Sequence, residues 1–156
     1  MKVEKPWGHE IRWAVNDKYV GKILHIKDGH RLSKQYHREK DETIYILDGS
    51  LLLEFGPHID AYVDETTPEV VRTTLVTGTS QRIEPNIIHR FCAEMGDVTL
   101  VEVSTPEISD VVRLSDDYDR VETKEEETKE EETKEEETKE EIEKKIKKEI
   151  DKQKPE

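Results

Sequence analysis

Residues 29–49 read GHRLSKQYHREKDETIYILDG, and this stretch predicts β-structure with a cluster of polar side chains. Because successive side chains of a strand point to opposite faces, every second residue before position 38 is predicted to share one face. The residues on that face are Arg31, Ser33, Gln35 and His37. Lys34 and Tyr36 are predicted to point away. Glu42 opens the next apolar run, and an antiparallel pairing would bring its carboxylate beside Gln35 and His37.

A second polar stretch, residues 78–89, reads GTSQRIEPNIIH and ends at His89. Two imidazoles, one carboxylate and one amide oxygen are a donor set that suits Zn²⁺, Mn²⁺ or Fe²⁺. We therefore expect one divalent metal ion per chain, with Zn²⁺ preferred and Mn²⁺ or Fe²⁺ as alternatives. The predicted ligands are Gln35, His37, Glu42 and His89. The competing interpretation is that these histidines are ordinary surface and core residues.

The rest of the first 120 residues also predicts strands. Short runs rich in β-branched residues are separated by turn-forming residues. These runs are residues 22–26, 43–47, 50–55, 71–76, 81–83, 89–92 and 98–103. Asp48-Gly49, between two apolar runs, predicts a hairpin, and residues 58–69 are expected to form an irregular connection. No helical period is sustained before Val121, so a small all-β barrel or sandwich is predicted.

The charge of the chain divides it into two parts. The 156 residues carry a formal net charge of -13, and residues 121–156 contribute 16 acidic and 10 basic residues to it. This tail repeats KEEET three times, which favours a solvated, partly helical, solubilising segment. Ile142, Ile146 and Ile150 form a narrow apolar stripe, so a role in assembly is the alternative. The expected organisation is one folded domain, residues 1–120, followed by a low-complexity tail, residues 121–156.

Composition also excludes several classes of protein. Neither a membrane-length apolar run nor a secretory signal is found in the sequence, which favours a cytoplasmic protein. The lone Cys92 agrees with a reducing compartment and is expected to pack in the core. Residues 1–120 carry 22 acidic and 15 basic residues, so a nucleic-acid partner is not expected. A small anion could still bind a local cluster of Lys and Arg.

The spacing of these polar residues resembles the two motifs of the cupin superfamily. Gly29, Gln35, His37, Glu42 and Gly49 match the first motif, with Gln in place of the first His. Gly78 and His89 match the second motif, in which Glu84 and Asn86 replace the usual Pro and Gly, and Ala93 replaces the closing Asn. Asn tolerates a left-handed backbone best after Gly, so the turn at Asn86 is expected to survive. The resemblance implies a single cupin barrel, also called a double-stranded β-helix or jelly roll.

Flanking segments narrow the resemblance to the mannose-6-phosphate isomerase cupins, and within them to the isomerase part of bifunctional guanylyltransferase/isomerase enzymes. The matching segments are KPWG at residues 5–8, RLS at 31–33, QYH at 35–37, HR at 89–90, SDVVR at 109–113 and DDY at 116–118. The Gln-x-His variant is usual in that family. The resemblance implies that a divalent metal supports aldose–ketose isomerisation of mannose 6-phosphate and fructose 6-phosphate through an enediol. It also implies a homodimer.

Candidate catalytic and substrate-binding residues follow from this resemblance. Lys40 lies where the family carries a basic residue and is assigned to proton transfer or phosphate binding, with a solvated turn lysine as the alternative. His9 is the other acid/base candidate, against a surface histidine. Phosphate recognition favours cations on the inward face, with a hydroxyl and an aromatic ring beside them. The predicted substrate-binding residues are Arg31, Ser33, Arg90 and Trp7, with Arg82 and Lys34 as weaker candidates.

Two other functions remain open from the sequence. An iron-dependent cupin dioxygenase would use the same ligands, although the cations Arg31, Lys40 and Arg90 argue against it. A non-catalytic cupin that binds a sugar or sugar phosphate is favoured by the altered second motif at Glu84 and Asn86.

Overall fold

Short runs of β-branched and aromatic residues form the strands of the protein, as expected for a chain with one apolar face per strand. The computed structural model describes residues 1–61 and 70–120. The strands are β1 (Lys2–Lys5), β2 (Gly8–Val15), β3 (Val20–Ile26), β4 (His30–Arg31), β5 (Lys34–Tyr36), β6 (Glu42–Asp48), β7 (Ser50–His58), β8 (Val71–Val76), β9 (Ser80–Ile83), β10 (Ile87–Ala93), β11 (Val98–Ser104) and β12 (Val112–Ser115). A single 3₁₀ turn over Ile59–Ala61 follows β7.

The strands form two antiparallel sheets that enclose one core. Sheet A has the order β1-β2-β3-β11-β6-β9, and sheet B has the order β12-β5-β10-β7-β8, with β4 also paired to β10. Apolar side chains from both sheets are buried together. They include Leu24, Ile44, Ile46, Leu53, Phe91 and Leu100. The predicted all-β jelly-roll barrel is confirmed.

The seven predicted runs all lie within strands, but the amino-terminal hairpin of β1 and β2 was not predicted. These strands pair through Val3 and Glu10, with the turn at Pro6 and Trp7. β1 reads KVEK and lies at the edge of sheet A, where none of its side chains is fully buried, and the apolar residues of β2 are interrupted by Glu10 and Arg12. Edge strands of this kind carry a weak apolar signal.

The predicted hairpin at Asp48-Gly49 is wrong. The turn joins β6 in sheet A to β7 in sheet B, so the two strands are not paired. Both edges of β6 are already occupied, by β11 and β9. Gly49 has a φ of 86°, and a Cβ there would lie 2.4 Å from the carbonyl oxygen of Asp97. The sharp turn therefore carries the chain across the barrel.

The left-handed conformation expected at Asn86 is confirmed, with a φ of 64°. Asn86 thereby takes the backbone role that a glycine fills in the related motif. An irregular connection is predicted over residues 58–69, but His58 still belongs to β7 and Ile59–Ala61 form the 3₁₀ turn. The rest of that connection, residues 62–69, and the predicted partly helical tail, residues 121–156, lie outside the described residues. In the part of the chain that is described, no helix is long and apolar enough to cross a membrane.

Candidate metal centre

Three buried side chains from different parts of the fold converge inside the barrel. His37 follows β5, Glu42 begins β6 and His89 lies in β10. Their ligand atoms all lie within 4.8 Å of one another. Nε2 of His89 is 3.2 Å from Oε1 of Glu42, and Nε2 of His37 is 3.6 Å from Oε2. Glu42 reaches the two imidazoles across the barrel, because β6 belongs to sheet A; the predicted pairing of its strand with β5 is not observed.

Hydrogen bonds fix how the two imidazoles face the carboxylate. Nδ1 of His37 donates to the carbonyl oxygen of Asp110, and Nδ1 of His89 donates to the carbonyl oxygen of Ile87 at 2.9 Å. A carbonyl oxygen only accepts, so in a neutral ring the proton lies on Nδ1 and Nε2 presents a lone pair. Neither Nε2 has a hydrogen-bond partner among the described residues, although both are buried.

These buried lone pairs fit a divalent cation. Two unpaired imidazole nitrogens and one carboxylate are all acceptors, and a buried group of this kind needs a proton or a cation to satisfy it. Metal-bound histidines commonly donate their other ring nitrogen to a carbonyl oxygen, as His37 and His89 do here. His37, Glu42 and His89 would hold the ion, and the mixed nitrogen and oxygen donors suit Zn²⁺, Mn²⁺ or Fe²⁺.

Gln35 lies beside this group. It is directly opposite His89 in the pairing of β5 with β10, so the two side chains share a face. The hydroxyl of Ser33 donates to Oε1 of Gln35 at 2.6 Å. A carbonyl oxygen has a second lone pair, so Gln35 retains the capacity to act as a fourth ligand. Ser33 contacts the predicted ligand and positions it.

Lys40 places a cation against the carboxylate of Glu42. Its Nζ donates to Oε2 of Glu42 and, at 2.7 Å, to Oε1 of Glu102. Burial alone lowers the pKa of Lys40, but Glu102 and Glu42 outweigh it and raise the pKa above its usual value. Burial alone raises the pKa of Glu42, and the charge of Lys40 holds it well below its usual range. Lys40 is therefore buried and protonated, and is not a solvated turn lysine.

Asp110 holds the segment that carries His37 and Lys40. Its carboxylate accepts from the backbone N–H groups of Arg38, Glu39 and Lys40 at 3.1, 2.6 and 2.9 Å. Burial raises the pKa of Asp110, but these three donors outweigh it and the pKa is lowered. The same residue therefore fixes the loop with its side chain and the His37 ring with its carbonyl oxygen.

Arg31 does not share the face of Gln35, so this prediction is wrong. Arg31 pairs with Cys92, and Gln35 pairs with His89. Arg31 and Gln35 are four positions apart in the chain but their partners are three apart, so the segment of β4 and β5 contains one extra residue. A shift of one residue reverses the face to which a side chain points. Ser33 and Gln35 stay together, and Arg31 turns to the outer face of sheet B.

Arg31 and Arg90 are instead bound to the same carboxylate. Nε of Arg31 donates to Asp117 at 2.5 Å, and Nη2 of Arg90 donates to it at 2.9 Å. Nε of Arg90 donates to the carbonyl oxygen of Leu32. Arg90 alternates with His89 along β10 and so faces away from the cluster. Both arginines therefore bind Asp117, in the segment after β12, to sheet B, and neither lies beside the candidate metal ligands.

Trp7 and His9 also lie away from the cluster. Trp7 is buried in the apolar core, and the adjacent Gly8 pairs with Ile26 at the end of β3. Glu42 lies near the other end of this strand, because its partner Ser104 also pairs with Val20. His9 pairs with His25 on β3, and their ring centroids are 5.2 Å apart. Glu10, the next residue, is buried and faces inward, so His9 lies on the outer face of sheet A.

The weaker candidates are also placed away from the centre. Arg82 is exposed and paired with Asp41 at 2.5 Å and Glu84 at 3.0 Å. Lys34 alternates with Gln35 and points to the other face. Cys92 is buried, as predicted, and burial raises the pKa of its thiol to about 11.

Three charged residues near the centre were not predicted. Lys22 and Glu102 are buried cross-strand neighbours in sheet A, with Nζ of Lys22 3.4 Å from Oε1 of Glu102. Arg113 on β12 is directly opposite Gln35, so the row Arg113, Gln35, His89 shares the inward face of sheet B. A charge within an otherwise apolar alternating run, as at Lys22 and Glu102, is the signal in the sequence that could have identified the first two.

The two sheets form the jelly-roll barrel fold that cupins share, with a candidate metal centre inside it. The sequence matches no protein family in a comparison with family profiles and no curated protein. Solved structures match in fold at low identity, and the barrel is the double-stranded β-helix that cupins share.

Three of these solved structures illustrate the match. The capsular polysaccharide assembling protein CapF from Staphylococcus aureus has a TM-score of 0.62 and 14% identity, over 74% of this chain and 34% of that one. KdgF from Halomonas sp. has a TM-score of 0.54 and 14% identity, over 68% of this chain and 86% of that one. An RmlC-like cupin from Shewanella frigidimarina has a TM-score of 0.50 and 12% identity, over 63% and 75% of the two chains.

Proposed function

We propose that this protein is a metal-dependent isomerase of phosphorylated hexoses, with mannose 6-phosphate and fructose 6-phosphate as the first pair to test. The observation that carries the proposal is the convergence of His37, His89 and Glu42 beside the buried ammonium of Lys40. A bound divalent ion would supply Lewis-acid polarisation of the sugar carbonyl at these ligands. The resemblance of the flanking segments to mannose-6-phosphate isomerase cupins supports the choice of substrate.

Lys40 has a defined part in this reaction. An ammonium group has three donors, and Glu42 and Glu102 accept from two of them. The third can donate to the sugar oxygen on which negative charge develops as the proton moves between C1 and C2. Because the neighbouring carboxylates keep the pKa of Lys40 high, it acts as a fixed cation and donor and is unsuited to be the base.

Arg113 is the residue that we assign to the phosphate. It lies one strand from Gln35 and two strands from His89 on the inward face of sheet B. Neighbouring strands are about 5 Å apart, so the long side chain of Arg113 can reach the phosphate of a sugar bound at the centre. A guanidinium binds a phosphate through two parallel N–H donors. We assign the phosphate to Arg113 in place of Arg31 and Arg90, because those two side chains lie on the outer face of sheet B, beside Asp117.

A coupled assay tests the proposal. Protein loaded with Zn²⁺ or Mn²⁺ is expected to convert mannose 6-phosphate to fructose 6-phosphate and to leave free mannose unconverted. Arg113→Gln is expected to raise KM for the phosphosugar at least tenfold while kcat changes less. Arg72→Gln, a cation of sheet B paired with Glu54 and Glu94, is the control and is expected to behave as wild type. Absence of turnover with every divalent metal would contradict the proposal.

A second candidate is favoured by the ligand set itself. Two histidines and one carboxylate are the donors of many non-haem Fe²⁺ oxygenases. Against it, the interior beside Glu42 carries Lys40, Glu102 and Lys22, which suit a polyhydroxylated substrate better than an apolar one. Oxygen consumption by the Fe²⁺-loaded protein would favour the oxygenase.

The non-catalytic alternative loses part of its basis. It rested on the altered second motif, yet Asn86 keeps the left-handed turn that the motif requires. Saturable binding of mannose 6-phosphate without turnover would support it. A cytoplasmic homodimer stays a prediction from the sequence, and sedimentation of the purified chain tests its oligomeric state.

A further inference from the structure

A chain of buried charges runs from sheet A to the candidate metal ligands. Nζ of Lys22 lies 3.4 Å from Oε1 of Glu102, and the same oxygen accepts from Nζ of Lys40 at 2.7 Å. Lys40 in turn donates to Oε2 of Glu42. All four residues are buried, and their charges alternate in sign from Lys22 to Glu42. Water screens such charges little, so each affects its neighbours strongly.

Lys40 and a divalent ion would use the same carboxylate. Oε1 of Glu42 faces Nε2 of His89 at 3.2 Å, whereas Oε2 accepts from Lys40. A metal held by His37, His89 and Glu42 would therefore have the ammonium of Lys40 as a close neighbour, bound to the carboxylate that the two would share. Glu102 opposes this effect because it attracts Lys40 away from Glu42, and Lys22 weakens Glu102 by pairing with it.

We infer that Lys40 is an internal counter-ion that competes with the divalent metal for Glu42, and that Glu102 and Lys22 are positioning residues that set the strength of this competition. The inference rests on the metal site of the proposed function and is independent of its substrate. It gives the buried pair Lys22–Glu102 a role that the isomerisation does not require. That role is to set the metal affinity of the site, which Glu102 influences through Lys40.

The inference predicts effects of opposite sign. Removal of a cation from the chain should tighten metal binding, because Glu42 loses a competitor or gains negative surroundings. Removal of the anion Glu102 should weaken metal binding, because the ammonium of Lys40 then keeps only Glu42 as a carboxylate partner, and the charge of Lys22 is no longer balanced by Glu102. A residue that only supports the fold would weaken metal binding whenever it is changed, whatever the sign of its charge.

The experiment measures Zn²⁺ affinity of the full chain by competition with a chromophoric chelator. Lys40→Met is expected to lower the Zn²⁺ dissociation constant at least tenfold, and Glu102→Gln is expected to raise it at least tenfold. Glu54→Gln is the matched control, since Glu54 is a mostly buried carboxylate paired with Arg72 in sheet B. Its dissociation constant should stay within twofold of wild type. Thermal unfolding of each metal-free variant reports whether the fold is retained.

Several outcomes would overturn the inference. Weaker or unchanged Zn²⁺ binding by a folded Lys40→Met variant contradicts the competition, and unchanged binding by Glu102→Gln contradicts the role of Glu102. If Lys40→Met does not fold, Lys22→Met tests the same sign and should lower the dissociation constant severalfold. Turnover of mannose 6-phosphate is measured separately: variants that shift Zn²⁺ affinity as expected in a chain without isomerase activity would sustain the inference and contradict the proposed function.

Discussion

The carbonyl oxygen of Asp110 accepts a hydrogen bond from Nδ1 of His37, although 73 residues separate them in the chain. The bond leaves Nε2 of His37 facing Glu42 with a lone pair, so a backbone atom of the segment before β12 decides which ring nitrogen can bind a metal. The carboxylate of the same Asp110 fixes the backbone of residues 38–40. One residue thus couples the carboxyl-terminal segment of the barrel to two functional side chains.

Asp110→Ala is expected to loosen both functional side chains. Three backbone N–H groups lose their acceptor, which should lower the free energy of unfolding by about 2–3 kcal/mol and the Zn²⁺ affinity about tenfold. Urea unfolding and a chelator competition measure the two effects. Asp110→Asn keeps an acceptor oxygen and should fall between Ala and wild type. Ser109→Ala, at the exposed neighbouring position, serves as control; wild-type Zn²⁺ affinity in Asp110→Ala would refute the coupling.

The bridge from Asp117 to Arg31 and Arg90 should make stability depend on acid pH. The hydrogen bond from Arg31 holds the pKa of Asp117 below its usual value of 3.8, despite some burial. A carboxyl group whose pKa is lowered on folding stabilises the protein above its unfolded pKa, and this contribution is lost as the pH falls through the folded pKa. Asp117→Asn should therefore cost about 1 kcal/mol at pH 7, after allowance for solvent screening.

The difference between Asp117→Asn and wild type should shrink as the pH falls below 3.8. Urea unfolding between pH 2.5 and 7 measures it, and Asp119→Asn, at an exposed position in the same segment, is the control. A difference that stays constant over this pH range would show that the charge of Asp117 does not stabilise the fold.

Gly49 should tolerate substitution less than Gly29, although both have a positive φ. A Cβ at Gly49 would lie 2.4 Å from the carbonyl oxygen of Asp97, whereas a Cβ at Gly29 would meet open space. Gly29→Ala carries only backbone strain, about 1 kcal/mol, and Gly49→Ala adds a backbone clash, for a total of about 2–4 kcal/mol. Equal losses in the free energy of unfolding would contradict the role of the close approach at Asp97.

The grouping of His37, Glu42 and His89 could be predicted from the sequence because their spacing follows local rules. A turn of fixed length separates His37 from Glu42, and Asn86 keeps the turn before His89. The face of Arg31 could not be found in this way, because it depends on one extra residue that appears only when β4 and β5 are paired with β10.

Long-range partners account for the other differences. Lys40 and Glu102 are 62 residues apart, and Arg31 and Asp117 are 86 apart. Alternation within one strand predicts the face of a side chain but not the residue that it meets across the barrel. The sequence therefore predicts Lys40 as a functional cation on the face of Glu42 but not its contact with Glu102, and Arg90 as a phosphate ligand but not its contact with Asp117.

Metal binding itself should stabilise the fold, and the individual ligands should contribute unequally. An ion at concentration c that binds only the folded state stabilises it by RT ln(1 + c/Kd), so the unfolding temperature rises as the affinity or the concentration of the ion increases. Zn²⁺ is expected to raise the unfolding temperature of wild type, and the rise should be lost in His37→Ala and His89→Ala. Gln35→Ala should keep part of it, because a neutral amide oxygen is a weaker ligand than an imidazole nitrogen.

His25→Ala, which changes a histidine of the outer face of sheet A, is the control and should keep the full rise. Equal Zn²⁺-dependent rises in wild type and His89→Ala would mean that the ion binds elsewhere and would remove the basis for this metal centre.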